Sequence, residues 1–155
     1  MWQALFSLTN AVAVTGWIAL LVLPRAALVR SGIMYAGVGL LCLIYTVLFA
    51  LLVSGSVDPA TISGADSAMR DYSIPGIRAL FQSDGGIVLG WTHYLAFDLF
   101  TGLWIASDAD NKGYGRLTQA PFLIATFLAG PIGLTSWLLV RERRARAAAR
   151  AAGGR

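Results

Sequence analysis

The chain has 155 residues, of which 57% are hydrophobic and only 13% charged, with a formal net charge of +4, whereas a soluble domain carries about 25% charged residues. With a mean hydropathy of +0.67, this excludes an ordinary water-soluble enzyme and points to an integral membrane protein of one domain. The single cysteine, Cys42, excludes an intrachain disulfide and reads as a small hydrophobe within an apolar run.

Four apolar runs of about 20 residues follow one another along the chain. The first, "ALFSLTNAVAVTGWIALLVL" (4–23), has no basic leader and no small-residue cleavage site after it, so it reads as a retained helix rather than a secretion signal. A short Pro-Arg turn separates it from the second, "IMYAGVGLLCLIYTVLFALLV" (33–53), which makes the two antiparallel neighbours. The 54–86 connection is long enough to have structure of its own. Within it, "IPGIRALFQ" (74–82) is spaced either as a short interfacial helix or as one amphipathic turn of a solvated linker. The third run is "IVLGWTHYLAFDLFTGLWIA" (87–106), and the fourth is "APFLIATFLAGPIGLTSWLLV" (120–140).

Backbone groups facing lipid must be bonded within their own segment, and runs of this kind cannot close a strand barrel. The expected fold is therefore an all-α membrane protein: four transmembrane helices in a bundle over 1–140, then a basic cytoplasmic tail at 141–155. With four crossings, both termini share a side with the middle loop. That side holds Arg70, Arg78 and the six arginines from Arg141 to Arg155, against Arg25, Arg30, Lys112 and Arg116 on the other, so both termini are predicted to be cytoplasmic. The tail reads as an anchor to anionic headgroups rather than a nucleic-acid contact. Arginine outnumbers lysine eleven to one in an Ala-rich chain, a bias that suggests a GC-rich bacterial gene and a bacterial inner membrane.

The third run carries the chemistry. At about 100° per residue, Trp91, Tyr94, Asp98, Thr101, Gly102 and Ile105 form one small or polar stripe. His93, the sole histidine, is turned about 140° from Asp98 and shares its face with Phe97, Phe100 and Trp104, so the two do not form a local dyad. An aspartate inside a span costs about 2.5–3.5 kcal/mol to insert, more than the roughly 0.6 kcal/mol of an average interhelical hydrogen bond. A neutral Asp98 in a dry site is a proton donor; the competing account is a polar clamp between helices. Tyr94, Asn10, Thr15 and Thr126 are its candidate partners. For His93 and the tryptophans, the ordinary account is residence in the aromatic belts.

"DADN" (108–111) either holds a divalent cation through Asp108 and Asp110 or simply ends the helix. No Cys/His metal pattern, phosphate loop or Ser-His-Asp arrangement occurs, so no metal or cofactor is called for. In the fourth run, Pro121 stands at the start, and Pro131 is expected to kink the helix. Gly130 and Gly133 permit close approach of a neighbour or an elongated apolar ligand.

The segment "GWTHYLAFDLFTGLWIASDA" (90–109) with "PFLIATFLAGPIGLTSWLL" (121–139) resembles the abscisic-acid-deficiency-four-like family of small four-helix membrane proteins. The middle-loop residues Val57, Asp58, Pro59, Ser63, Gly64, Leu80 and Phe81 add to the likeness. Plant members of that family are required for forming neoxanthin from violaxanthin. The resemblance implies a carotenoid-related protein and an epoxide isomerase. Asp98 would then be the proton donor and His93 the base, with Tyr94, Phe97, Phe100, Trp104, Gly130 and Pro131 lining the substrate. Expected partners are membrane lipid, a carotenoid-like apolar ligand, and a second copy or another membrane protein. Two readings of other classes stand beside this one: a non-enzymatic pigment- or lipid-binding accessory subunit, packed through Gly37 and Gly39, and a proton path through Asp98 in an oligomer.

Overall fold

The computed structural model describes residues 1–23, 26–58 and 73–153, with side chains described through Glu142. Every regular element among them is helical. We label them α1 (Trp2–Val22), α2 (Ala27–Val53), α3 (Ile74–Leu80), α4 (Asp84–Asn111), α5 (Arg116–Leu128) and α6 (Gly130–Gly153). Two of these, α1 and α2, are long and apolar enough to cross a membrane by length and composition. Residues Ile33–Gly39 of α2 are wound as a π-helix.

Local chemistry explains the starts. Ser73 caps α3, its hydroxyl accepting from the Gly76 N–H at 3.3 Å, with Pro75 in the first turn. Ser83 caps α4 by accepting from the Gly86 N–H at 3.0 Å, and Asp84 complements the positive end of the helix dipole. The Asp58 carboxylate accepts from the Gly85 N–H at 3.1 Å, tying the end of the described loop segment to α4. The short helix expected around 74–82 is therefore present. Pro59, Ser63, Gly64 and Arg70 of the earlier patterns lie outside the described residues.

The middle of the bundle is α4, buried along most of its length. Pairings along it set every direction. Trp2 lies beside Gly85 and Trp17 beside Gly102, while Trp91 Nε1 donates to Asn10 at 3.1 Å, so α1 runs with α4. Leu52 lies beside Gly85, Tyr45 beside His93, and Arg30 reaches Asp110 at 3.2 Å, so α2 runs against it.

The fourth apolar run behaves differently from the expected single kinked span. Gln119 at the start of α5 donates to Asp110 at 2.8 Å, and the Leu128 carbonyl at its end accepts from the Tyr94 hydroxyl at 3.4 Å. The helix breaks at Ala129 (φ −159°, ψ 80°), and α6 returns: Gly130 abuts Asp98, whereas Trp137 and Arg141 reach Asp108. Residues 116–141 are thus a helical hairpin whose tip lies at the level of Asp98 and whose two legs share the Asp108 end of α4. At 1.5 Å per residue, the 13 residues of α5 extend about 20 Å, short of the ~30 Å of a hydrocarbon core.

Two features differ from the expected course. The 120–140 segment is not one continuous helix but parts of two, broken at Ala129. The chain ends also do not share an end of the bundle, because Trp2 sits by the beginning of α4 and Arg141 by its end. The break falls two residues before Pro131 and places that proline in the first turn of α6, where its missing N–H costs nothing. Pro121 lies inside α5 rather than at its start. Small residues permit the fold-back: a Cβ on Gly133 would stand 2.2 Å from Thr126 Oγ1. Trp137, fully buried, meets Tyr114 and Phe122 edge-to-face at 5.0 and 5.5 Å and joins α6 to α5 and to the α4–α5 connection.

Candidate functional site

Asp98 is buried at 9% exposure, and its Oδ2 has no hydrogen-bond partner. The Tyr94 hydroxyl and the Gly130 backbone N–H are the polar groups that approach the carboxyl. Gly130 is there because nothing larger fits: a Cβ would lie 2.0 Å from Oδ1 and 2.7 Å from Cγ. The carboxyl therefore faces the first residue of α6, whose Gly130 N–H is the one backbone donor directed at it, since the Ile132 and Gly133 N–H groups are both paired with the Ala129 carbonyl. The Tyr94 hydroxyl donates to the Leu128 carbonyl, near the point where α5 ends.

Of the four expected partners, Tyr94 alone is brought to Asp98. Asn10 accepts from Trp91, Thr126 donates to the Phe122 carbonyl at 2.7 Å, and Thr15 lines a cleft between α1 and α2. The unexpected neighbour is Gly130, contributed by its backbone and its lack of a side chain. The "AGPIG" cluster signalled close approach there, but not to what.

The helical rotation separates His93 as expected. Its ring lies 4.6 Å from Phe97 and 5.5 Å from Tyr45, on the exposed seam with α2. Asp98 and His93 therefore occupy separate surroundings. Phe100 and Trp104 form a ridge between two grooves. One, of about 360 Å³, is lined with Thr101, Leu134 and Leu138 from α4 and α6, a turn along each helix from Asp98 and Gly130. The other, of about 350 Å³, is lined with Arg30, Ser31, Met34, Tyr35, Leu103 and Ser107. Phe97 is 57% exposed beside His93, and Pro131 points outward on the hairpin. The substrate-lining set expected from the sequence is thus divided between two faces of α4.

Asp108 lies two residues beyond the apolar run and is saturated. Its carboxylate accepts from Lys112 Nζ at 2.6 Å, Arg141 Nε at 2.8 Å and Nη2 at 3.1 Å, and Trp137 Nε1 at 3.0 Å. Burial alone would raise its pKa, but the hydrogen bonds from Lys112, Arg141 and Trp137 outweigh this and hold the carboxyl below the ordinary carboxylate value. The Arg141 guanidinium also stands 5.6 Å over the Trp104 ring. Asp110 is engaged by Arg30 and Gln119. The two aspartates suggested as cation ligands thus bind side-chain cations, and no group of three or more His, Cys, Asp or Glu among the described residues is placed to hold a metal ion.

A third cleft, about 460 Å³, opens between α1 and α2 against Ala11, Thr15, Gly16, Gly32, Ala36 and Gly37, alongside the π-helical turns. Gly37 itself is packed on Leu99, which a Cβ would meet at 3.1 Å.

A family model described as ABA DEFICIENT 4-like matches residues 4–137, which span α1 through Trp137 and include Asp98, the hairpin tip and Asp108. No curated protein and no solved structure matches the chain.

Proposed function

The chain belongs to the ABA DEFICIENT 4-like family, and from that premise we propose that it is an integral membrane protein with a carotenoid-related role, acting as an isomerase on an epoxide of the violaxanthin type or a related carotenoid. The observation that carries this reading is the buried, half-unpartnered carboxyl of Asp98 at the hairpin tip, one turn from an apolar groove.

Opening such an epoxide moves a proton from the Asp98 carboxyl to the epoxide oxygen as a carbon–oxygen bond breaks. The bond electrons leave with oxygen, which becomes a hydroxyl, and a tertiary, polyene-conjugated cation remains on carbon. Ring faces such as Phe100 and Trp104 favour a cation beside them. Loss of a proton from the neighbouring carbon then forms the allene, with no net change of oxidation state. The Asp98 carboxylate left by the first transfer is the base at hand, because His93 lies on the opposite seam. Tyr94 orients the carboxyl.

The orientation we propose differs from that expected of four crossings. Assigned by the connection in which each falls, ten of the twelve lysines and arginines belong to the Asp108 end or the tail: Arg25, Arg30, Lys112, Arg116 and the six from Arg141 onward. Arg70 and Arg78 belong to the other end. That asymmetry supports a cytoplasmic C-terminus, with α1, α2 and α4 crossing, the hairpin re-entrant from the cytoplasmic side, and the N-terminus across the membrane. Topology reporters fused to each terminus should report opposite sides; two ends on one side would overturn the three-crossing arrangement.

The enzymatic test is the pigment profile of a violaxanthin-accumulating bacterial host expressing the protein, beside an Asp98→Asn control. A new allenic xanthophyll that disappears in the control is the expected result. An unchanged profile, with the protein verified in the membrane, would remove the isomerase reading. The accessory-subunit reading, favoured by the small-residue cleft between α1 and α2, would then take its place.

A further inference from the structure

The second groove on the Phe100–Trp104 ridge has a chemistry that the carotenoid reading does not use. Its floor is apolar, from Met34, Phe100 and Trp104, and its rim is polar, from Arg30, Ser31 and Ser107. The polar groups gather at the Asp108 end of α4, where Arg30 is held by Asp110 at 3.2 Å with its side chain 35% exposed. The exposed part of the Arg30 guanidinium carries its charge to the groove rim, where an anion can approach it beside Asp110. Lys112 and Arg141 stand at the same end of the bundle.

An apolar trough that ends at a half-exposed arginine is matched by a molecule with an acyl chain and an anionic head. Basic pockets between transmembrane helices on the cytoplasmic side are a recurring form of anionic-lipid site. From this charge complementarity we infer that the α2–α4 groove binds one anionic phospholipid of the cytoplasmic leaflet. Its acyl chain lies along Met34, Phe100 and Trp104, and its phosphate lies against Arg30. The leaflet assignment rests on the orientation proposed above; the binding site itself does not.

The test is native mass spectrometry of the full-length protein in detergent, titrated with phosphatidylglycerol or phosphatidylcholine of identical acyl chains. Wild type should prefer phosphatidylglycerol by roughly fivefold or more, the effect of one basic residue at an anionic surface. Arg30→Gln should erase that preference. Ser107→Phe, which fills the groove and leaves the Arg30–Asp110 pair in place, should reduce binding of both lipids. Arg78→Gln, at the other end of the bundle, should change neither. Equal wild-type affinity for the two lipids overturns the proposal, as does a preference that survives Arg30→Gln or binding that survives Ser107→Phe. Displacement of the lipid by soluble glycerol phosphate would reassign the site to a free anion and also overturn it. Because binding in detergent is blind to orientation, its failure is distinguishable from failure of the topology reporters.

Discussion

Two aspartates on one helix, Asp98 and Asp108, meet opposite fates. Asp108 receives hydrogen bonds from Lys112, Arg141 and Trp137, whereas Asp98 keeps one oxygen unbonded against a glycine. Residue type and helix are the same, so the difference lies in which part of the 116–141 hairpin arrives. The returning leg delivers an arginine and an indole N–H to Asp108, and the tip delivers only backbone to Asp98. One carboxylate fastens the hairpin down; the other is left with capacity to act on something else. An acid on a packed helix is thus understood from its unused hydrogen-bonding capacity, and not from its depth or its neighbours in sequence.

That contrast is breakable. The largest expected loss of stability is from Asp108→Ala, which strands Arg141, Lys112 and the Trp137 N–H together. Losing the acceptor of several part-buried, charge-assisted hydrogen bonds costs about 1–3 kcal/mol, to be measured by reversible unfolding in mixed micelles. An unchanged unfolding midpoint would mean the clasp holds nothing. Asp98→Asn should do the reverse: a stability change below about 1 kcal/mol, since no hydrogen bond to Oδ2 is lost, with product formation down at least about 100-fold if Asp98 is the proton donor. A strongly destabilised Asp98→Asn protein would make this residue a clamp like its counterpart.

Gly130→Ala sharpens the comparison from the hairpin side. The new Cβ meets the Asp98 carboxyl at 2.0 Å, and relief of such overpacking costs about 1–3 kcal/mol, with loss of activity expected alongside. Full activity in that variant would show that the tip does not position Asp98. The smallest effect expected is on pH dependence. Because the folded Asp108 carboxyl sits below its ordinary value, its contribution is present above the ordinary carboxylate range. It is lost as pH falls through about 4 and below. Melting curves over that interval should fall more steeply for wild type than for Asp108→Asn, and parallel curves would contradict the pairing.

Much of this was legible without coordinates. Hydropathy located the helices, the short turn after Val22 made α1 and α2 antiparallel, and helical rotation alone separated His93 from Asp98 and put Tyr94 on the aspartate's stripe. The 120–140 run was the failure, and its cause is physical. Length and hydropathy respond equally to one helix of twenty residues and to two of half that depth, because both keep their side chains in apolar surroundings. The Pro131 signal was read as a kink, yet a proline two residues after a break is also a good first-turn residue. Arg141 belongs to Asp108, 33 positions earlier, and no local pattern announces a partner at that distance.

Secondary structure was therefore determined by the sequence alone: runs this apolar satisfy their backbone internally, and helices do so within each segment. Family membership was likewise readable in the segment around His93 and Asp98. What only the tertiary structure decided was the course of the chain after α4. Whether 116–141 crosses or folds back depends on a long-range balance between pairing Arg141 with Asp108 and burying Trp137 on one side, and extending one apolar helix on the other. That balance determines which end of the bundle the basic tail joins. It also determines that the hairpin tip, rather than a cation, is what Asp98 meets.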